Sequence, residues 1–338
     1  KPKKIEKKNK PQSCQVRFFK PRTTYRRTLN WSVNLYLGDG KNYSPDFGLP
    51  GTSYQETTQD GKKRFRYLDM GENPPEGVIV NYFLESIPKQ SLELIFFDSE
   101  GKEIIRFSSK KSHNDAENEI PILSKKLGFN RFIWNMQFLG PKVRIEKKLE
   151  KPKYKPLSLG ENQVKLGPIA PPGKYVVKLK IGENEIEHSF KIKKDPRLKT
   201  TDEDFSSQFL LWSKIRNRVS EINLAVNKIR TINHQINELL SRGIFNRSNI
   251  EKSIKIIQKN ADSLRKKLSK IESQLIQSQY ETPSDRLRHP TMLKERIEAL
   301  VSVVSISDSA PTLQTYEVFE HLSKQIKEQF YQLRNLEE

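Results

Sequence analysis

The chain contains, at residues 202–240, the stretch DEDFSSQFLLWSKIRNRVSEINLAVNKIRTINHQINELL, which reads as one long amphipathic helix. Its apolar residues recur every three or four positions, and this spacing places them on one stripe of a helix. They are Phe205, Phe209, Trp212, Ile215, Val219, Ile222, Val226, Ile229, Ile232, Ile236 and Leu239. At about 1.5 Å per residue, such a helix is roughly 55 to 60 Å long. A stripe of this length requires partner helices.

Both ends of this helix carry capping signals. Thr201 precedes it and Asp204 follows three positions later, which is the spacing of a capping box. Gly243 lies where a left-handed residue would end the helix. The acidic residues Asp202, Glu203 and Asp204 complement the helix dipole, so this cluster of carboxylates does not require a catalytic explanation.

Three further amphipathic stretches follow and supply the partner helices. Their apolar positions are Ile250, Ile254, Ile257, Ala261, Leu264, Leu268, Ile271 and Leu275; then Leu293, Ile297, Leu300 and Val304; then Leu313, Tyr316, Phe319, Leu322, Ile326, Phe330 and Leu333. The connection between the first two helices, RGIFNRS at 242–248, is short, so these two must lie antiparallel. The sequence therefore predicts a four-helix antiparallel bundle over residues 200–338.

The residues before this region indicate β structure. Period-two alternation predicts strands near 64–70, 78–84, 91–97, 102–108, 130–138, 171–181 and 185–194. Short strands joined by such turns favour an antiparallel β-sandwich of immunoglobulin-like or fibronectin-like type over residues 64–197. Residues 1–63 are predicted to be a basic lead-in and irregular linker, with loop composition from Trp31 to Tyr54. The predicted fold class is thus an α+β multidomain protein.

The positive charge is unevenly distributed. The net charge of the chain is +20, of which residues 1–27 contribute +10, residues 142–155 contribute +5, and residues 200–338 contribute only +3. Such basic stretches bind nucleic acid or other anionic polymers in some proteins. Solvated lysines explain them equally well, and few aromatic residues accompany them for stacking on bases. The sequence favours this second interpretation and argues against nucleic acid as the partner.

Several classes of site and segment are excluded. Cys14 is the single cysteine, so neither a disulfide framework nor a cluster of thiolate ligands can form. No apolar run reaches about 18 residues, which argues against a membrane span. The basic N-terminal residues lack the apolar core of a signal peptide, so a secretion signal would have to lie upstream of residue 1.

The sequence assigns no catalytic, cofactor-binding or metal-binding residue. The five histidines, at positions 113, 188, 234, 289 and 321, have no His or Cys three or four residues away. No nucleophile elbow or Cys/His arrangement is present. Trp134 and Tyr175 are candidates for a sugar-stacking surface, but aromatic residues on strands are expected in the core. Trp212 is expected to pack between the two domains.

Five short segments, taken in order, resemble a known family. They are LDMGENPPEGV at 68–78, RFIWNM at 131–136, PPGKY at 171–175, DPR at 195–197 and APT at 310–312. Together they resemble the C-terminal region of bacterial and archaeal sortilin-type β-propeller proteins with BNR/Asp-box repeats, which are often labelled glycosyl hydrolase or exo-sialidase-like. The resemblance covers roughly residues 15–338.

The resemblance implies a large β-propeller upstream of this chain. It also implies that the whole protein is exported to the periplasm, the cell surface or the medium. The family's repeat, Ser-x-Asp-x-Gly-x-Thr-Trp, occurs nowhere in these 338 residues. No propeller active site can therefore be assigned to a residue of this chain, and any hydrolase activity would belong to the whole protein.

Three hypotheses about function remain. The first is a non-catalytic C-terminal module that packs on the propeller and interacts with a protein partner, or with itself, through the helices. The second is an accessory or carbohydrate-binding part of a glycoside hydrolase. The third is non-specific binding of anionic polymers through the two basic stretches. None of the three requires a cofactor.

Overall fold

The computed structural model describes residues 16–27, 39–44, 51–57, 63–69, 75–110, 120–142, 167–241, 251–279, 285 and 287–336. Within these ranges the chain forms eleven strands, β1 to β11, followed by four helices, α1 to α4. The protein therefore combines several largely antiparallel sheets with a C-terminal helical region, as the sequence predicts at this level.

One sheet has three strands in the order β1-β6-β9. Its strands are β1 (Val16–Phe18), β6 (Val78–Leu84) and β9 (Gly128–Trp134), and both pairings are antiparallel. Alternate residues of β6 are fully buried, because successive side chains of a strand point to opposite faces of the sheet. The prediction of β9 at 130–138 was wrong at its C-terminal end, since Met136 has a positive φ of 62°, which extended strands do not adopt.

A second sheet has five strands in the order β2-β11-β10-β7-β8. They are β2 (Thr24–Arg26), β7 (Leu92–Phe97), β8 (Glu103–Ser108), β10 (Gly173–Ile181) and β11 (Asn184–Lys194). Strand β2 pairs in parallel with β11, unlike the wholly antiparallel arrangement that the sequence predicts. Strand β2 itself was not predicted, because three residues are too few to show an alternating pattern.

A third sheet corrects the prediction of an irregular region between Trp31 and Tyr54. Strands β3 (Gly40–Ser44), β4 (Gly51–Thr57) and β5 (Lys63–Tyr67) form an antiparallel meander. The Gly, Asn and Pro residues around the first two strands obscured the Thr and Tyr residues within them, which favour β structure. The predicted division at 1–63, 64–197 and 200–338 remains a prediction.

The first two sheets share one apolar core. Phe96 of β7 lies 4.4 Å from Trp134 of β9 between ring centroids, and Phe107 of β8 lies 4.5 Å from Phe132 of β9. Trp134 and Tyr175 are both buried here, as expected from the sequence. The inner faces of the two sheets therefore pack against each other, and their outer faces are left for other contacts.

The helices are α1 (Asp202–Ser241), α2 (Glu251–Leu275), α3 (Leu293–Ser305) and α4 (Leu313–Arg334). The bounds of α1 agree with the predicted helix at 202–240. Its capping box is present, because Thr201 N donates to Asp204 Oδ2 at 2.9 Å and Asp204 N donates to Thr201 Oγ1 at 3.2 Å. Gly243 lies outside the described residues. None of the four helices is both long and apolar enough to cross a bilayer.

The four helices also share a core, but the predicted stripes are not buried along their whole length. From Trp212 to Ile229 the stripe of α1 is buried. Leu239 of α1, Ile257 of α2 and Leu313 of α4 are exposed, contrary to prediction. For Leu239 the reason is length, since α1 spans 40 residues while α3 and α4 span only 13 and 22. Leu313 is the first residue of α4. The side chains of Ile250 and Ile254 lie outside the described residues.

We expect the substitution Gly77→Ala to destabilise the protein. Gly77 has a φ of 124°, and a Cβ at this position would lie 2.3 Å from the carbonyl oxygen of Trp134. Backbone strain of this kind costs about 1–3 kcal/mol, and the clash adds to it. Urea unfolding followed by circular dichroism measures the loss.

Gly101→Ala is the matched control. Gly101 also has a positive φ, of 82°, but nothing lies within 4 Å of its Cβ position. Gly101→Ala should therefore lower the free energy of unfolding by less than Gly77→Ala does. Equal losses would show that the contact with Trp134 has no effect.

Candidate functional site

The junction between the second sheet and the helices contains a buried arginine. Arg26, the last residue of β2, has only 2% of its surface exposed. Its Nε donates to Asp308 Oδ1 at 3.0 Å, and its Nη2 lies 2.7 Å from the same oxygen. Asp308 belongs to the connection between α3 and α4 and is also buried. This ion pair therefore joins residues that are 282 positions apart in the chain.

The remaining donors of Arg26 bind groups from two other segments. Its Nη2 donates to Gln208 Oε1 of α1 at 2.5 Å, and its Nη1 donates to the carbonyl oxygen of Ala170 at 3.3 Å. The guanidinium carbon also lies 4.9 Å from the ring centroid of Phe205 in α1. A buried charge is tolerated only when it is paired and hydrogen-bonded, and these contacts meet that requirement.

Gln208 extends the network into the connection between α3 and α4. Its Nε2 donates to the carbonyl oxygens of Val304 at 2.7 Å and Ser307 at 2.6 Å. Thr200, just before α1, donates through its hydroxyl to the backbone oxygen of Asp308 at 2.5 Å. The network thus fixes the start of α1, the end of α3 and strand β2 to one another.

The electrostatics of this junction keep Arg26 charged. Burial lowers the pKa of Arg26, and the charge and hydrogen bond of Asp308 counteract that effect. An arginine remains protonated at neutral pH even so, because its ordinary pKa is above 12. Among the described residues, Asp308 Oδ2 has no hydrogen-bond partner, so the pair depends on Oδ1 alone.

A second set of contacts holds the segment after β9 along α1. The rings of Phe138 and Phe209 lie 4.8 Å apart between centroids. Further along, Asn223 Nδ2 donates to the carbonyl oxygen of Lys142 at 2.7 Å, and Lys142 N donates to Ser220 Oγ at 3.1 Å. Trp212 belongs to the helical core, and Ile169 packs against both cores. The position of Trp212 between the domains stays a prediction.

The DPR segment at 195–197 forms the turn between β11 and α1. Asp195 accepts hydrogen bonds from the guanidinium of Arg197, at 2.5 Å for Nη2, and from the backbone N–H of Arg197 at 3.0 Å. These bonds lower the pKa of Asp195 to about 2. The carboxylate therefore stays ionised and acts as a structural acceptor in this turn.

The outer face of the first sheet carries an exposed aromatic cluster. Phe19 and Phe129 stack with ring centroids 5.5 Å apart, and Phe83 packs edge-on against Phe129 at 5.9 Å. Phe19 is 40% exposed and Phe129 is 67% exposed. Ile133, two residues after Arg131 on the same face of β9, is also exposed. Exposed apolar patches of this kind commonly mark interaction surfaces.

Basic side chains border this cluster. Arg17 of β1 reaches Glu85 at 3.6 Å, and Arg131 of β9 donates to Asn81 Oδ1 of β6 at 3.1 Å. Lys20 follows Phe19 directly and is exposed. We call the patch formed by Phe19, Phe83, Phe129 and Ile133 the aromatic face. It is an apolar surface with a mostly basic border.

The histidines, to which the sequence assigns no metal-binding role, lie on separate elements where the structure describes them. His188 contacts the carbonyl oxygen of Phe18 at 3.0 Å through Nε2. His234 is exposed on α1, and His113 lies outside the described residues. Within the described ranges, no group of three or more His, Cys, Asp or Glu side chains is placed to hold a metal ion.

Arg26, its partners and the aromatic face could not be recognised from the sequence. Arg26 was counted with the excess charge of residues 1–27, and nothing in its immediate sequence distinguishes it from Arg22 or Arg27. Phe19 and Phe129 alternate with buried neighbours, so only the register of the strands shows that they share an outer face. The sequence signal for the aromatic face is the period-two alternation of β6 and β9, which places Phe83, Phe129 and Ile133 opposite the buried residues.

Comparison of the chain with protein-family models, curated proteins and solved structures gives no match. The resemblance to sortilin-type β-propeller proteins therefore remains a prediction.

We expect Arg26→Met to destabilise the protein strongly. The substitution leaves the carboxylate of Asp308 buried without its cation, and breaking a buried pair in this way costs about 3–5 kcal/mol. Urea unfolding of the variant measures the loss. Arg17→Met is the control, because Arg17 forms an exposed pair with Glu85 whose loss costs about 0–1 kcal/mol.

The double substitution Arg26→Met with Asp308→Leu tests the cause of this loss. It removes both charges, so no unpaired carboxylate stays buried, and it should be more stable than Arg26→Met alone. A double variant less stable than the single one would mean that the buried charge is not what destabilises Arg26→Met.

Proposed function

We propose that this chain is a non-catalytic structural and interaction module, which packs on an upstream β-propeller of the same exported protein. We further propose that its first two sheets form an immunoglobulin-like or fibronectin-like sandwich and that its helices form an antiparallel bundle. The shared core of the two sheets and the common core of the four helices support these two assignments.

The aromatic face is the observation that carries the proposed function. Phe19 and Phe129 are large apolar side chains on an open sheet surface, where water contact is unfavourable. Phe19 follows β1 directly, so the cluster lies beside the first described strand. A domain that precedes this chain in the polypeptide would connect through residues 1–15 to β1, beside this face.

The geometry of the rings favours a protein surface over a sugar as the occupant. Phe19 and Phe129 stack on each other with an interplanar angle of 17°, so each ring covers one face of the other. A sugar-binding platform needs ring faces that are open to the ligand. Apolar protein side chains can instead pack around the edges of the cluster, and a carboxylate can approach Lys20 at its border.

The junction at Arg26 supports a structural role for the module. It ties β2, the lead into β10, α1 and the connection between α3 and α4 through buried hydrogen bonds. Such a connection holds the helices in a fixed position relative to the sheets. The helices would then be available for a protein partner or for self-association.

The two alternative functions have less support. Trp134 and Tyr175, the candidates for sugar stacking, are buried in the core and cannot contact a carbohydrate. Of the basic residues counted within 1–27, Arg26 is neutralised by Asp308 and Arg17 faces Glu85. A carbohydrate-binding accessory and a non-specific binder of anionic polymers therefore stay hypotheses.

Cysteine labelling tests the proposed docking surface. In a Cys14→Ser background, Phe129→Cys should react readily with a thiol reagent in the 338-residue chain. In the longer natural protein, the same cysteine should react much more slowly, because the upstream domain covers it. Mass spectrometry measures the rate of labelling in both proteins.

Ile87→Cys serves as the control for this experiment. Ile87 is exposed in the loop between β6 and β7 and does not belong to the aromatic face. It should react equally fast in both proteins. Equal labelling of Phe129→Cys in both would rule out docking through this face, and an upstream sequence without Asp-box repeats would rule out the propeller.

A further inference from the structure

The hairpin of β10 and β11 carries opposite charges that pair with each other near its turn. Lys178 Nζ lies 2.9 Å from Glu185 Oε2, and Lys180 Nζ lies 3.1 Å from Glu185 Oε1. Hydrogen bonds from Lys178 and Lys180 lower the pKa of Glu185 accordingly. At this end of the hairpin, cross-strand neighbours have opposite charges, which is the stabilising arrangement.

The other end of the same hairpin has the opposite arrangement. Lys174 of β10 lies directly opposite Lys191 of β11, and Lys193 of β11 lies beside Tyr25 of β2. All three lysines are exposed, and none forms an ion pair among the described residues. Like charges placed directly opposite each other destabilise a sheet. This end of the hairpin thus has an uncompensated positive charge.

These residues line an open depression of the surface, with a volume of about 530 Å³. We call it the lysine cleft, and define it by Tyr25, Lys174, Lys191, Lys193 and Asp202. Lys194 also lines it, but its Nζ donates to the carbonyl oxygen of Thr200 at 2.6 Å. Asp202, the first residue of α1, is the single carboxylate among the lining residues, so cations predominate.

We propose that the lysine cleft binds a phosphate group, with Lys174 and Lys191 on either side of it and Lys193 and Tyr25 at its border. A phosphate monoester carries about 1.5 to 2 negative charges at neutral pH and three acceptor oxygens. With this charge and these acceptors it can contact several ammonium groups at once. Lysine binds phosphate as a point charge and requires no planar geometry.

The ring of Tyr25 bears on the source of the phosphate. It is exposed beside Lys193, where a nucleobase could stack on it while the phosphate contacts the lysines. Free phosphate and a phospholipid headgroup offer the same charged group without a base. This inference is independent of the proposed function, because the lysine cleft and the aromatic face lie on different sheets.

Thermal unfolding at constant ionic strength and pH 7.5 tests the site. Inorganic phosphate should raise the Tm of the whole chain, because a ligand that binds only the folded state stabilises it. At a concentration ten times the dissociation constant, the folding equilibrium constant should increase about elevenfold. Sodium chloride of equal ionic strength should not reproduce this rise.

The double variant Lys174→Gln/Lys191→Gln provides the decisive comparison. It should lose the response to phosphate, and without phosphate it should be at least as stable as the unmodified chain, because the opposed charges are gone. The control is Lys178→Gln/Lys180→Gln, which also removes two positive charges, but from the end of the hairpin where both lysines pair with Glu185. It should keep the response to phosphate and lose stability through the broken ion pairs.

Two further probes distinguish the sources of phosphate. ATP should bind more tightly than tripolyphosphate if a nucleotide is the ligand, and Tyr25→Ala should abolish the difference. Vesicles of phosphatidylcholine with phosphatidic acid, but not of phosphatidylcholine alone, should bind if a headgroup is the ligand. No response of the unmodified chain to any of these probes, or an equal response of Lys174→Gln/Lys191→Gln, would overturn the proposal.

Discussion

The buried guanidinium of Arg26 is the constraint on which the arrangement of this protein depends. A cation with 2% of its surface exposed has lost its hydration, so the surrounding groups must replace the water. Asp308, Gln208 and the carbonyl oxygen of Ala170 do so, and they come from three separate segments of the chain. The sheets and the helices therefore cannot move apart at this point without exposing unpaired polar groups.

This constraint also positions both candidate surfaces. Arg26 and Tyr25 are neighbours in β2, and because strand side chains alternate, anchoring Arg26 inward directs Tyr25 outward to the lysine cleft. Phe19 lies only a few residues earlier, beyond Pro21, and contributes to the aromatic face. A short N-terminal segment thus contributes to the junction, to the docking surface and to the phosphate site that we infer.

Regular periodic patterns were predictable from the sequence, whereas contacts between distant segments were not. The bounds of α1 and the strands β6, β7, β8, β10 and β11 follow from their apolar periodicity. Strand β2 depends on its pairing with β11, and the role of Arg26 depends on Asp308, which is 282 residues away. No local pattern encodes either contact. The exposure of Leu239 depends on how far the partner helices extend, which a stripe on α1 alone cannot show.

Native-state hydrogen exchange tests most directly whether the junction makes the sheets and the helices one cooperative unit. In the unmodified chain, the most protected amides of β10 and α1 should open with the same free energy, because both require global unfolding. In Arg26→Met, the amides of α1 should open with a lower free energy than those of β10. Separate opening free energies in the unmodified chain, or values that stay equal in the variant, would contradict this account.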